Sequence, residues 1–238
     1  MAQFSSLSLY CDSAELTKIK TYANDARVSG FTTNPSICRA QGVENYREAI
    51  SQILSLTEGK QVSIEVISDD LSEMVRQGLE INKFGDNIFV KVPVTNTKGM
   101  STFSVVKSLL SEGVKVNLTA IFATNQISEY LNEALPSDAH IILSVFAGRL
   151  ADIGQDPEKT LQEFSMLKGR ISNNCRTLWA SPREVFNIIQ AERSGCDIIT
   201  LTPDLIEKAK KFGTSPEAYS LDTVKMFYSD AVAANYEI

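Results

Sequence analysis

Histidine is nearly absent from the sequence, since His140 is the single one among 238 residues. Catalytic zinc usually takes several imidazole ligands, and a Ser-His-Asp hydrolase needs an imidazole base, so both classes are excluded. His140 opens a predicted strand, and we expect a structural role for it. The four cysteines are scattered without Cys-x-x-Cys spacing, which argues against a zinc site or a disulfide framework. The chemistry must therefore use lysine, carboxylates, hydroxyls and amides, and we expect no metal and no cofactor.

Other absences narrow the class of protein further. No apolar run approaches the roughly 18 residues of a membrane span, and the N-terminus lacks the basic start and apolar stretch of a signal peptide. The net charge is −6 with a pI near 5.0, and no basic patch is visible. Neither Gly-x-Gly-x-x-Gly nor a Walker A sequence is present, which argues against nucleotide-binding folds. We expect a cytoplasmic protein that binds neither membranes nor nucleic acid.

Short β-branched runs alternate with longer amphipathic stretches along the whole chain. The predicted strands are 7–12, 28–34, 61–67, 87–95, 115–122, 140–148, 175–181 and 197–202. Helical patterns such as 71–84 and 101–111 lie between them. No linker or low-complexity segment divides the chain. Eight strand–helix units predict an α/β fold, a (β/α)8 TIM barrel formed as a single domain over residues 1–238.

The segment from about residue 216 to 238 is predicted to be a helical C-terminal extension. It carries apolar residues at roughly helical spacing, namely Tyr219, Val224, Phe227, Tyr228 and Val232. This apolar stripe either caps the barrel or reaches a neighbouring subunit, and the spacing favours neither.

Alternation along the fourth predicted strand places Lys91 inside the barrel. The outward face packs on helices and should be apolar, and Ile88, Val90, Val92 and Val94 form such a face. Burial disfavours the ammonium form of Lys91 and favours a neutral, nucleophilic amine. The alternative is a buried ion pair with Glu65 that serves only the stability of the barrel.

The same alternation places other polar residues inside. They are Asp12, Glu65, Asn117, Thr119 and Ser144, and strand two adds Asn34 at its end. Phe146 has the same parity as Ser144, and Ser181 has the same parity as Trp179. Nearly all lie in the C-terminal half of their strand, where the active sites of barrels form. Lys115 begins its strand and belongs to the opposite, structural end.

Two carboxylates and two arginines complete the predicted site. Asp12 and Glu65 are candidates for acid and base beside the amine, although Asp12 could instead cap a helix that starts near Ser13. Arg149 and Arg183 could hold an anion against the negative net charge of the chain. The run Ser181-Pro182-Arg183-Glu184 reads as a capping box at a helix start, which is also a favoured phosphate site after strand seven.

Seven motifs in order along the chain resemble those of the transaldolase family, in particular its short subfamily that includes fructose-6-phosphate aldolases. The motifs are Asp12, Thr32-Thr33-Asn34-Pro35-Ser36, Ser63-Ile64-Glu65-Val66, Val90-Lys91-Val92-Pro93-Val94-Thr95, Asn117-Leu118-Thr119-Ala120-Ile121-Phe122, Ser144-Val145-Phe146-Ala147-Gly148-Arg149 and Ala180-Ser181-Pro182-Arg183.

The resemblance implies a role for each site residue. Lys91 would form the Schiff base, Asp12 would be the acid/base for the carbon–carbon bond, and Glu65 and Thr119 would position a proton-relaying water. Asn34, Asn117 and Ser144 would bind the dihydroxyacetone moiety, and Arg149, Ser181 and Arg183 the phosphate. It also implies phosphorylated sugars as substrates, and a ring-shaped homo-oligomer, pentameric or decameric, with the terminal helix on a neighbour.

Two positions distinguish activities within that family. The resemblance implies that members of the aldolase branch have Gln at the position of Glu65 and Tyr at the position of Phe146. The hydroxyl of that tyrosine helps to protonate the enamine. A phenyl ring cannot donate that proton, so transfer to an acceptor aldehyde is favoured over simple cleavage. The alternatives are a fructose-6-phosphate aldolase and a non-enzymatic phosphosugar-binding barrel.

Overall fold

The computed structural model describes residues 7–238 and contains a closed barrel of eight parallel strands in sequence order. The strands are β1 (Ser8–Asp12), β2 (Val28–Thr32), β3 (Gln61–Glu65), β4 (Ile88–Pro93), β5 (Val116–Ile121), β6 (His140–Val145), β7 (Asn174–Trp179) and β8 (Ile198–Leu201). Strand β8 pairs with β1 and closes the barrel. The predicted (β/α)8 fold is confirmed.

Helices follow the strands on the outside. They are α1 (Leu16–Ala23), α2 (Pro35–Ala40), α3 (Tyr46–Leu56), α4 (Leu71–Asn82), α5 (Phe103–Ser111), α6 (Ser128–Asn132), α7 (Ala147–Asp152), α8 (Pro157–Leu167), α9 (Asn187–Arg193), α10 (Pro203–Ala209) and α11 (Pro216–Ala233). The two predicted helices given above correspond to α4 and α5, within two residues at each end. Asp70 begins α4 as its cap, accepting a hydrogen bond from the Glu73 backbone N–H at 2.9 Å.

The core has an outer and an inner part. The outer part lies between strands and helices, and its strand residues have the parity of Val90 and Val145. The inner part fills the barrel with Tyr10, Phe89, Ile142, Leu178 and Ile198. Below it, Arg176 donates a hydrogen bond to Gln61 Oε1 at 2.7 Å. The polar residues at the C-terminal end of the barrel therefore lie next to a layer of apolar side chains in the barrel interior.

The parity predicted for Trp179 is wrong. Trp179 pairs with Val145 in the register between β6 and β7 and packs in the outer core, whereas Leu178 points into the barrel. Strand β7 ends at Trp179, so Ser181 lies beyond the strand and alternation does not determine its direction.

The terminal helix α11 has no buried residue. Its exposed apolar side chains are Tyr219, Leu221, Val224, Met226, Phe227, Tyr228 and Val232. Among residues 7–238, no helix combines the length and hydropathy that a membrane span requires.

Candidate active site

Lys91 lies in the barrel interior, on the C-terminal half of β4, with only 6% of its surface exposed. Its Nζ donates a hydrogen bond to the Thr33 backbone carbonyl at 2.8 Å and lies 3.1 Å from Glu65 Oε2. Glu65 and Lys91 are register partners on adjacent strands, which explains why their side chains meet. The structure thus contains the ion pair, and it places that pair where barrel enzymes carry their chemistry.

Asp12 ends β1 and faces the same interior. Its Oδ1 accepts a hydrogen bond from Thr32 Oγ1 at 2.6 Å. Burial raises the pKa of the Asp12 carboxyl, and the charge of Lys91 and the Thr32 hydrogen bond oppose that rise. Helix α1 begins at Leu16 with Glu15 as the preceding residue, so the alternative that Asp12 caps a helix near Ser13 is wrong.

A chain of hydrogen bonds beside the lysine joins side chains of β6, β5 and β3 and passes over β4. Ser144 Oγ donates to Asn117 Oδ1 at 2.6 Å, and Asn117 Nδ2 donates to Ser63 Oγ at 3.0 Å. All three side chains are buried. Asn117 therefore has a fixed orientation, and Ser63 is a site residue that the motif analysis left without a role. The alternation along the strand could have identified Ser63, because it has the same parity as Glu65 and therefore also points into the barrel.

Thr119 lies one step above Asn117 on the inner face of β5. Its Oγ1 is buried and has no hydrogen-bond partner among residues 7–238. Ala120, the next residue, has a positive φ of 59°, and the register of β5 with β6 shifts between Leu118 and Ile121. Such a bulge redirects a side chain next to an active site.

Asn34 lies beyond the end of β2, not within it as predicted. It caps α2, because its Oδ1 accepts a hydrogen bond from the Ile37 backbone N–H at 3.0 Å. The group that Asn34 can offer a ligand as a donor is its Nδ2 amide.

The predicted capping box at Ser181 is wrong. Ser181 has a left-handed φ of 58°, which differs from the extended conformation of an N-cap. Helix α9 begins later, at Asn187, whose Oδ1 accepts hydrogen bonds from the backbone N–H groups of Arg183 at 2.7 Å and Glu184 at 3.1 Å. Residues 181–186 form a turn that the Asn187 side chain holds.

Gly148 explains the conformation of this turn. A Cβ at Gly148 would lie 1.6 Å from the Ser181 carbonyl oxygen, so the two backbones touch. No residue other than glycine allows this approach. The contact brings the start of α7 against the segment that carries Ser181 and Arg183.

The arginines lie at the rim of the site and are exposed. Arg183 Nε donates to Asp152 Oδ1 at 3.1 Å, and the guanidinium pairs with the same carboxylate through Nη2. The Arg149 guanidinium carbon lies 5.4 Å from the centroid of the Phe146 ring. Arg183, and secondarily Arg149, hold the pKa of Asp152 below its ordinary value. Asp152 is a rim residue that the sequence analysis did not identify.

Two threonines near Asp12 were also missed as individual site residues. Thr32 and Thr200 are buried on β2 and β8, and both point into the barrel with Asp12 and Tyr10, their register partners on β1. Among residues 7–238, no group of three or more His, Cys, Asp and Glu side chains could hold a metal ion.

The sequence matches the model of the family described as Transaldolase/Fructose-6-phosphate aldolase over residues 9–237. A protein of Nitrosopumilus maritimus named "Probable transaldolase" is 35% identical over 203 residues, which cover 85% of this chain and 86% of that protein. A Methanococcus maripaludis protein of the same name is 34% identical over 202 residues, which cover 85% and 89%.

Solved structures with other names share the barrel. KGPDC from Streptococcus mutans superposes with a TM-score of 0.56 at 12% identity, covering 85% of this chain and 91% of that chain. Thiamine phosphate pyrophosphorylase from Pyrococcus furiosus gives a TM-score of 0.51 at 10% identity, covering 84% and 87%. At these identities the likeness concerns the fold alone.

Proposed function

The chain belongs to the transaldolase/fructose-6-phosphate aldolase family, and we propose that it is a transaldolase. It transfers a dihydroxyacetone unit from fructose 6-phosphate or sedoheptulose 7-phosphate to glyceraldehyde 3-phosphate or erythrose 4-phosphate. The observation that supports this most is the buried Lys91 amine, 3.1 Å from Glu65 Oε2 and near enough to Asp12 for its charge to act on that carboxyl. An amine inside a barrel mouth with two carboxylates has the groups that Schiff-base chemistry needs.

The proposed reaction begins with transfer of a proton from the Lys91 ammonium to Glu65. The neutral nitrogen attacks the ketone carbon of the sugar, and the resulting hydroxyl leaves as water when a proton returns to it. The product is an iminium ion on Lys91, so its positive charge stays beside the Glu65 carboxylate. The buried Thr119 hydroxyl supports this step, because it is available to hold the water through which the proton passes.

Cleavage of the carbon–carbon bond then requires a base. Asp12 accepts the proton of the hydroxyl next to the breaking bond, the bond electrons move to the iminium nitrogen, and an aldehyde leaves. The enamine left on Lys91 attacks the acceptor aldehyde, and Asp12 returns its proton to the new hydroxyl. Water finally hydrolyses the iminium ion. Burial raises the pKa of Asp12, which suits a group that must hold this proton between the two half-reactions.

The rim supports a phosphorylated substrate. Arg149 and Arg183 present two guanidinium groups around Asp152, and a phosphate entering here competes with that carboxylate for Arg183. The Ser181 backbone and hydroxyl lie on the same turn.

Borohydride trapping tests the lysine directly. Reduction in the presence of fructose 6-phosphate should add a sugar-derived unit to the peptide that contains Lys91, either the whole donor or the three-carbon fragment left after cleavage, detected by mass spectrometry. Lys91→Met should abolish the adduct, whereas Lys115→Met should keep it, because Lys115 lies at the start of β5 and its Nζ bonds to the Asp86 carbonyl. An unmodified Lys91 peptide would exclude this mechanism and leave the phosphosugar-binding barrel as the better proposal.

The rival activity within the family is cleavage without an acceptor. Phe146 favours transfer, because its ring carries no hydroxyl that could protonate the enamine. The ring packs against that of Phe122, with 5.8 Å between the two centroids. Release of glyceraldehyde 3-phosphate from fructose 6-phosphate alone should be slower than transfer to erythrose 4-phosphate. The opposite order would make the protein a fructose-6-phosphate aldolase.

We also propose that the protein works in the cytoplasm as a homo-oligomer that covers α11. An 18-residue helix with no buried residue and seven exposed apolar side chains has no packing among residues 7–238 that accounts for them. Light scattering should give a pentamer or decamer for the intact chain and a smaller species after truncation before Pro216. A monomeric intact chain would contradict the proposal.

A further inference from the structure

A second pair of hydroxyls stands behind the Asp12 carboxylate. Thr32 Oγ1 lies 2.6 Å from Asp12 Oδ1 on one side and 2.6 Å from Thr200 Oγ1 on the other. Thr32 is 3% exposed and Thr200 is 4% exposed, so water does not compete for these bonds. The three oxygens form a hydrogen-bonded chain that starts at Thr200 on β8, continues through Thr32 on β2 and ends at Asp12 on β1.

The direction of the two hydrogen bonds follows from counting protons. An ionised carboxylate only accepts, so Thr32 donates its single hydroxyl proton to Asp12. That proton is then unavailable for the bond to Thr200, and Thr200 must be the donor in that bond. Thr200 therefore donates to Thr32, and Thr32 donates to Asp12.

This order has a consequence for the carboxylate. A hydroxyl that accepts a hydrogen bond becomes a better donor, so Thr200 strengthens the bond from Thr32. Oδ1 is held by Thr32, which leaves Oδ2 as the oxygen that can exchange a proton with a substrate. The other charged groups acting on the Asp12 carboxyl are Lys91 on β4 and Glu65 on β3, and the adjacent Cys11 thiol on β1 is in turn acted on by the Asp12 charge.

We propose that Thr200 is a positioning residue for the carbon–carbon bond step. It acts through Thr32 to fix the orientation of the Asp12 carboxylate and to stabilise its ionised form. This inference rests on the proposed Schiff-base function. Thr200 touches neither Lys91 nor the rim arginines in any hydrogen bond of residues 7–238, so its effect should be confined to Asp12.

Thr200→Val removes the hydroxyl and keeps the shape of the side chain. The kcat for transfer from fructose 6-phosphate should fall by about 3- to 10-fold, the size of one lost hydrogen bond. The donor KM should change by less than about 2-fold, because no binding group is altered. The acid limb of the kcat–pH profile should move to higher pH, because the ionised form of Asp12 loses support. Thr200→Ser restores the hydroxyl and should restore both kcat and the pH profile.

A double-mutant cycle separates positioning from packing. Thr32→Val alone should lower kcat more than Thr200→Val does, and adding Thr200→Val to it should have little further effect, because the relay is already broken. Additive effects of the two changes would overturn the proposal, as would an unshifted pH profile in Thr200→Val. Should Thr200→Val fold poorly by circular dichroism, Thr200→Ala serves for the same comparison.

Borohydride trapping distinguishes a failure of the proposed Schiff-base function from a failure of the role proposed for Thr200. Every variant of this series should still form the Lys91 adduct, since Thr200 and Thr32 are not needed for attack on the ketone. If the wild-type protein forms no adduct, the proposed function fails. If the adduct forms and Thr200→Val turns over like the wild type, only the role of Thr200 fails.

Discussion

Glu65 and Lys91 are register partners on β3 and β4, and their side chains meet with 3.1 Å between Oε2 and Nζ. The two side chains are 18% and 8% exposed, so the pair is largely removed from water. Removing one partner of such a pair leaves an uncompensated charge in the interior.

Lys91→Met should therefore lower the free energy of unfolding by about 3 kcal/mol in urea denaturation. The double variant Lys91→Met/Glu65→Met should recover much of that loss, because no charge is left unpaired. Lys115→Met is the control, and it should cost less than about 1 kcal/mol. Equal losses in the single and double variants would show that the unpaired Glu65 charge is not the cause of the loss.

Asp12→Asn should give a more stable but far less active protein. Because burial raises the pKa of Asp12, the folded protein binds this proton more tightly than the unfolded chain, so stability falls as pH rises from the unfolded value of about 3.9 through the raised pKa. The urea midpoint of the variant should exceed that of the wild type at pH 7, and the difference should shrink near pH 4. Transfer should slow by roughly 10²- to 10⁴-fold.

The matched control is Asp138→Asn, an exposed carboxylate in the segment before β6. It should change neither the midpoint nor the rate. A wild-type midpoint above that of Asp12→Asn at pH 7 would contradict the assigned direction.

Phe146→Tyr should shift the enzyme toward cleavage. Phe146 packs on the inner core and the Arg149 guanidinium lies over its ring, so the change adds a hydroxyl at the barrel mouth that could protonate the enamine. Acceptor-independent release of glyceraldehyde 3-phosphate should rise at least about tenfold relative to transfer. Phe122→Tyr places a hydroxyl on the neighbouring ring and serves as the control. An unchanged ratio in Phe146→Tyr would mean that another residue decides the fate of the enamine.

Gly148→Ala should disturb the phosphate side of the site. The added Cβ meets the Ser181 carbonyl oxygen, a backbone atom that cannot rotate away, so the turn with Ser181 and Arg183 must move. We expect a loss of about 2 kcal/mol in unfolding free energy and about a tenfold higher KM for phosphorylated donors. Gly169→Ala, where a Cβ meets open space, should leave both quantities unchanged. Identical behaviour of the two variants would exclude the backbone contact as the cause.

Alternation of side chains determined the fold and the position of the lysine from the sequence. A parallel barrel strand buries both faces, and the apolar partner face of Lys91, made of Ile88, Val90 and Val92, is local to one strand. The period of two carries that information without knowledge of any neighbour. It failed at Trp179, which packs in the outer core, and it does not apply to Asn34 and Ser181, because both lie past the last strand residue, where the backbone no longer alternates.

Only the tertiary structure decided which polar groups meet. Thr32 and Thr200 are 168 positions apart and touch because β8 closes on β1, and the closing register sets their separation. The contact of Gly148 with the Ser181 carbonyl sets a turn where the sequence had predicted a capping box. It likewise depends on the start of α7 meeting the segment after β7. Local sequence fixes the face on which a side chain lies. Its partner across the barrel depends on how all eight strands close, which no short segment encodes.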